Sequence, residues 1–210
     1  MNSGASAASD VSAASGAPLA GGASAVLAAV RARRSYPSVT AEAPSHDELL
    51  PLVEAASSVA DHGALHPWRL IELRGADRER LGAAYVAATE ALIGVPLDAD
   101  KAAALAAKPL RASLLIAIVA VQKPSIKAPE WEQDASTAGV AHALSLLLAD
   151  AGWGVFWRSG GHTRSEPVRA MHHLADNEKL LGWLYVGGIP ENPKATSTQR
   201  INPEDFLTTL

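Results

Sequence analysis

Three arginines and a serine crowd into five positions, Arg31, Arg33, Arg34 and Ser35, directly after the apolar run AVLAAV at 25–30. Two readings are open. Cations at the C-terminal end of a helix complement its macrodipole, and the same guanidinium forks are able to grip an anion. A second concentration, Trp157, Arg158 and Ser159, closes the apolar stretch VFWR at 155–158. It reads as a core strand ending in a surface arginine, or as a flat wall beside a planar ligand. Asp61, His62 and His66 form a third group, since histidines four apart share a helix face and a carboxylate would complete a metal site. Gly63 and Pro67 break the helix that such a site needs, so a polar loop is expected there. The adjacent His172 and His173 would point apart on a helix and are expected to be solvated.

The elements that must hold these groups belong to a chain of 210 residues with a net charge of −4 and no cysteine. That length suffices for one domain with a real hydrophobic core. Disulfides, thiolate metal sites and a cysteine nucleophile are excluded, and the composition is compatible with a reducing cytoplasm, the expected location. A net negative charge offers no general attraction to nucleic acid or to an anionic membrane, so an arginine cluster acts locally, on a small target. No run approaches the roughly 20 apolar residues that span a bilayer. Residues 1–23, rich in Ser, Ala and Gly, lack the basic and apolar regions of a secretory signal and are expected to be a disordered tail; residues 24–210 form the domain.

Ser24 as N-cap begins a helix through AVLAAVRARR, ended before Tyr36-Pro37. Ser45 and Glu48 spell a capping box for a second helix, with Pro51 in its first turns. A strand is expected at 68–73, helices at 77–93 and 99–107, and a second strand at 113–121. KPSIKAPEWEQD at 123–134 reads as a proline-marked loop, followed by a central helix at 135–151 that is nearly apolar all round. A strand at 155–158, a short helix at 166–174 and a strand at 179–188 complete a sheet sandwiched by helices, an α+β or α/β arrangement. A dinucleotide fingerprint is missing, because Gly152 and Gly154 are followed by Trp157 rather than a third glycine. The phosphate-loop, serine-hydrolase and zinc-peptidase signatures are absent too.

Taken in order, RRS at 33–35, ADHGALHPWRLIEL at 60–73, PEWEQDASTAGVA at 129–141, GWGVFWRSGG at 152–161 and GWLYVGGIPE at 182–191 resemble the nitroreductase family, in particular its small bacterial NAD(P)H nitroreductases. The resemblance runs from about residue 26 to 207. It implies an α+β fold with a central, mostly antiparallel sheet between helices, and a homodimer whose C-terminal extension reaches the partner. It implies FMN as cofactor, NAD(P)H as electron donor, and hydride transfer in a ping-pong cycle to an electron-poor acceptor such as a nitroaromatic or a quinone. FMN contacts fall on Arg33, Arg34, Ser35, His62, Trp157, Arg158 and Ser159. Close relatives carry an arginine at the position of Ser58, and Lys194 or Arg200 in the C-terminal tail is the expected substitute for that charge, Lys194 being preferred. A nicotinamide contact falls on Leu147, Leu148, Ala149, Asp150, Ala151 and Gly152. No acid, base or nucleophile is implied, because the chemistry resides on the flavin. The rival expectation is a protein that binds or stores flavin without turnover.

Overall fold

A computed structural model describes residues 24–193 and 201–210. The chain divides into two units at Ala32. The described part of the first holds α1 (Ala25–Ala32), capped by Ser24, whose hydroxyl accepts from the Leu27 N–H at 3.2 Å. This helix stops short of Arg33, so only Arg31 occupies its last turn.

The second unit is built on β1 (Trp68–Leu73), β2 (Leu114–Val121), β3 (Trp153–Arg158) and β4 (Glu178–Gly188). The strands form one sheet in the order β1-β2-β4-β3, and every pair is antiparallel. Both faces are covered, which is why β2 reads as the unbroken apolar run LLIAIVAV. Leu114, Ile116 and Ile118 point to one side, toward α2 (His46–Ala56) and α5 (Glu130–Asp150). Leu115, Ala117 and Val119 point to the other, toward α3 (Ala76–Ile93), α4 (Ala99–Ala106) and α6 (Glu166–Met171). The capping box of α2 is present in full: the Ser45 hydroxyl accepts from the Glu48 N–H, and the Glu48 carboxylate accepts from the Ser45 N–H at 2.7 Å.

Three features differ from the sequence reading. Helix α5 starts at Glu130 rather than 135, with Pro129 as its N-cap and Glu130 and Glu132 in the first turn, where carboxylates suit the dipole. Its composition is apolar all round, yet one side is open: Trp131 is 69% exposed, and Ala135 and His142 are exposed too. His172, expected in solvent, is 4% exposed, because it ends α6 against the sheet and accepts the Trp183 indole N–H at 3.0 Å.

A bulge sets the side-chain phase of β4. The register jumps between Ile118 and Val119, which pair with Gly182 and Leu180, leaving Leu181 extra. Trp183 and Tyr185 thereby share the α3 face with Leu180, while Leu184 and Val186 face α5. Gly182 sits at φ +140°, and a Cβ there would lie 2.7 Å from the Trp157 Nε1. The bulge therefore makes room for the Trp157 indole as well as the turn of the chain.

Candidate functional site

Residues 33–42 form a strap held to edge strand β3 and to the end of its inner neighbour β4. The Tyr36 N–H donates to the Val155 carbonyl of edge strand β3 at 3.0 Å, the Thr40 N–H donates to Gly188 O at 2.8 Å, and the Gly188 N–H donates to Glu42 O at 3.0 Å. Between these anchors, Val39 lies on a bare patch made by Gly154 and Gly187, which are register partners on β3 and β4. A Cβ on Gly187 would meet Val39 Cγ2 and Thr40 O, each at 2.7 Å, and one on Gly154 would meet Val39 Cγ1 at 3.0 Å. The glycines of GWG and VGG thus permit the close approach of the segment that bears the arginines.

Arg33, Arg34 and Ser35 are half-buried at the start of this strap. The Arg33 Nη1 donates to the Ser35 hydroxyl at 3.4 Å, and the Arg34 Nη1 donates to the Arg33 carbonyl at 3.0 Å. Two guanidinium groups and a hydroxyl within three residues make a donor set suited to a multiply charged oxyanion.

The second predicted cluster ends β3. Strand alternation sends its members to opposite faces. Trp157 lies on the α5 side, its ring 4.9 Å from that of His142. Arg158 lies on the α3 side, with Cζ 4.3 Å from the Phe156 ring centre and 5.1 Å from that of Tyr185. Its Nη2 donates to Pro37 O at 3.4 Å, so Arg158 is a further anchor of the strap. Ser159 is exposed at the strand exit, followed by Gly160 at φ +137°. The structure therefore joins the two clusters through Tyr36, Pro37 and Val155.

Other predicted residues lie apart. His62 is exposed and its Nδ1 is 2.7 Å from the Glu132 carboxylate, at the N-terminal end of α5. Ten residues separate Glu132 from His142, about 15 Å along the helix axis. Asp61 accepts the His66 N–H at 2.6 Å and so closes its own loop. Ser58 is exposed, its hydroxyl donating to Ala55 O at 2.8 Å. Of the stretch Leu147–Gly152, Leu148 is wholly enclosed in the core and Leu147 and Ala149 are half-buried, whereas Asp150, Ala151 and Gly152 are exposed at the turn into β3. Lys194, Arg200 and the tail 1–23 lie outside the described residues.

The predicted Trp157, Arg158 and Ser159 border a half-open cleft of about 490 Å³ on the α3 face, whose other lining, Lys108, Arg111, His162 and the paired Tyr85 and Tyr185, sequence reasoning missed. Burial pushes both phenols above their ordinary range, and the Arg158 charge pulls them the other way. Burial also lowers the His162 imidazole, with Lys108 adding to the effect; its ring lies 4.6 Å from that of Tyr85. The two tyrosines, His162 and the Lys108–Arg111 turn come from separate elements at long sequence separation, so no local spacing announces their meeting with Arg158.

With the geometry in view, comparison with known proteins is direct. The model of the nitroreductase family matches residues 30–188. The Escherichia coli K12 protein named "Putative NAD(P)H nitroreductase YdjA" is 32% identical over 177 residues, covering 84% of this chain and 94% of that relative. A Haemophilus influenzae protein named "Putative NAD(P)H nitroreductase" is 28% identical over 187 residues, covering 88% and 98%. Among solved structures, a nitroreductase-like family protein from Bacillus cereus superimposes with a TM-score of 0.74 at 21% identity, covering 87% of this chain and 94% of the other. An FMN and NADPH-dependent nitroreductase, NfnB, from Sphigopyxis sp. strain HMH gives a TM-score of 0.65 at 17% identity, covering 87% and 97%. The antiparallel sheet between helices, the ordered motifs along the chain and these matches agree: the chain belongs to the nitroreductase family.

Proposed function

We propose that this oxidoreductase is an FMN-dependent enzyme that moves hydride from NAD(P)H to an electron-poor acceptor, a nitroaromatic or a quinone, in a ping-pong cycle. The observation that carries the reading is the strap: backbone pairing of Tyr36 with Val155 puts Arg33, Arg34 and Ser35 beside the strand that ends in Trp157, Arg158 and Ser159. The donor set fits the cofactor. Arg33 and Arg34 neutralise the FMN phosphate and Ser35 bonds a further oxygen, with Lys194 adding a cation from the tail. The exit of β3 at Trp157–Ser159 borders the ring system and supplies hydrogen bonds toward it. When bound, FMN supplies the chemistry by accepting and then donating hydride. The protein holds donor and acceptor in turn at contact distance and excludes water. The exposed Asp150–Gly152 end of the 147–152 stretch receives the nicotinamide nucleotide.

The same reading makes the enzyme a homodimer. His62 sits about 15 Å along α5 from the Trp157 contact, so it completes the site of the second protomer rather than its own. Trp131 on the open side of α5, and Phe206 and Leu207, 73% and 80% exposed, are apolar surfaces that a partner covers. Among the described residues, no helix is long and apolar enough to cross a membrane.

The deciding experiment is an FMN titration followed by anaerobic mixing of the same sample with NADH or NADPH. Stoichiometric binding and bleaching of the flavin absorbance within catalytic times are expected. Tight FMN that stays oxidised would identify a storage protein, a reading favoured by Ser58, whose short hydroxyl is tied to Ala55 O.

A further inference from the structure

We propose that Lys108 and Arg111 select the electron acceptor by charge, so that the enzyme prefers an electron-poor aromatic bearing a carboxylate. The inference rests on the flavin reading above and narrows its acceptor. The cleft at the end of β3 belongs to that site, because Trp157, Arg158 and Ser159 line it. Its other walls include Tyr85, Tyr185 and Trp183, flat apolar surface for a planar ring.

The charge of the cleft is one-sided. Lys108, Arg111 and Arg158 line it and no carboxylate does. Lys108 and Arg111 have no ion pair within 4.0 Å among the described residues, in contrast with Arg69, Arg74 and Lys179, each of which faces a carboxylate. Both are solvent-exposed, and one short element carries them. Lys108–Arg111 is a 3-10 helix, in which residues three apart eclipse, so the two side chains leave it on the same side. Pro109 between them is buried, and Arg78 donates to the carbonyl of the next residue, Ala112, at 2.6 Å, so the turn is pinned to the fold. Arg158 adds a third charge, its guanidinium packed on the Phe156 and Tyr185 rings. Cations that converge without a counter-charge repel one another, and an oxyanion relieves that repulsion.

The FMN phosphate already has Arg33 and Arg34, which leaves Lys108 and Arg111 for a ligand that comes and goes. Cations and aromatic walls share one cleft of about 490 Å³, within the range of small-molecule sites. A ring with a carboxylate attached unites the matching features in one small molecule, whereas the pyrophosphate of NAD(P)H stands a ribose away from its nicotinamide. For a nitroaromatic the net reaction balances as follows: NAD(P)H gives up a hydride, solvent supplies a proton, and the nitro group becomes a nitroso group with release of one water.

The probes are 4-nitrobenzoate and its uncharged counterpart 4-nitrobenzyl alcohol, offered to the FMN-loaded full chain and to the double variant K108Q/R111Q. The ratio of their kcat/KM values is expected to fall at least about tenfold in the variant; comparing ratios cancels the different electron affinities of the two acceptors. Benzoate, which is not reduced, should bind the oxidised parent and perturb its flavin absorbance, and bind the variant at least about tenfold more weakly by calorimetry. Rising salt should diminish the parent's preference. An unchanged ratio, or full benzoate affinity in the variant, would overturn the selection by charge. Bleaching by NAD(P)H that slows as much as 4-nitrobenzoate turnover would assign the two cations to the donor, and a matching loss of FMN affinity would assign them to the cofactor; either result sinks the proposal while leaving the flavin reading intact. A parent chain that takes up no FMN would remove the flavin reading, and the acceptor with it.

Discussion

The indole N–H of Trp183 donates to Nε2 of His172 at 3.0 Å, and on the far side of that ring Nδ1 lies 2.8 Å from the Val168 carbonyl. One tautomer satisfies both contacts: neutral, with the proton on Nδ1. A second proton would place an N–H against the indole N–H, deep in the protein. Burial, first among the causes, lowers this imidazole below its ordinary value of 6.5.

The pH consequence follows from that direction. Below about 6.5 the unfolded chain protonates this histidine and the native one does not, so stability falls with decreasing pH until the lowered native pKa is reached. Urea midpoints measured from pH 7.5 down to 5 should decline, and the variant His172→Gln should decline less steeply over the same range. Parallel slopes in the two proteins would remove His172 as the cause.

The Arg69 fork holds both oxygens of Glu178, at 2.6 and 2.7 Å, and the Ala175 N–H donates to the same carboxylate at 2.9 Å. The Glu178 side chain is 9% exposed and that of Arg69 38%. Arg69→Met should cost toward the lower end of about 1.5–3 kcal/mol, because half-exposed Arg69 is partly screened while Glu178 is left without its main partner. Chemical denaturation gives the number directly, and a loss under 0.5 kcal/mol would be too small for a charge-assisted fork.

Gly187→Ala tests the strap. The added methyl would push against Val39 and Thr40 O, costing about 1–3 kcal/mol by overpacking. It should also lower FMN retention on a desalting column, because the displaced segment carries Arg33–Ser35. Retention equal to that of the parent chain would separate the strap from cofactor binding.

Arg34→Ala should weaken FMN about 10- to 100-fold, the equivalent of one charge-assisted contact. Fluorescence titration of free FMN reads the change, and an unaltered dissociation constant would take Arg34 out of the site.

Local signals carried much of this fold. Ser45 and Glu48 announced α2, and the apolar run at 114–121 announced β2, because both effects act within a few residues. Helix α5 was read five residues late, since Pro129 signals a loop as readily as an N-cap and its first turn is polar. His172 was misplaced because its partner, Trp183, arrives only when β4 packs against α6. Trp157 and Arg158 were visible as a pair, and strand alternation alone sets them on opposite faces; what was not visible is which helices each face meets, and the Gly154–Gly187 seat that brings them near Arg33. Both depend on register, which composition does not encode.

Because neighbouring residues of β3 look out on different compartments, mutational scans through GWGVFWRSGG should split by parity. Odd-numbered substitutions from 153 to 157 report on the helix α5 side, and even-numbered ones from 156 to 158 on the tyrosine side. An engineer is thus given two independent dials within one short ribbon, provided that a change at one leaves the backbone between them undisturbed.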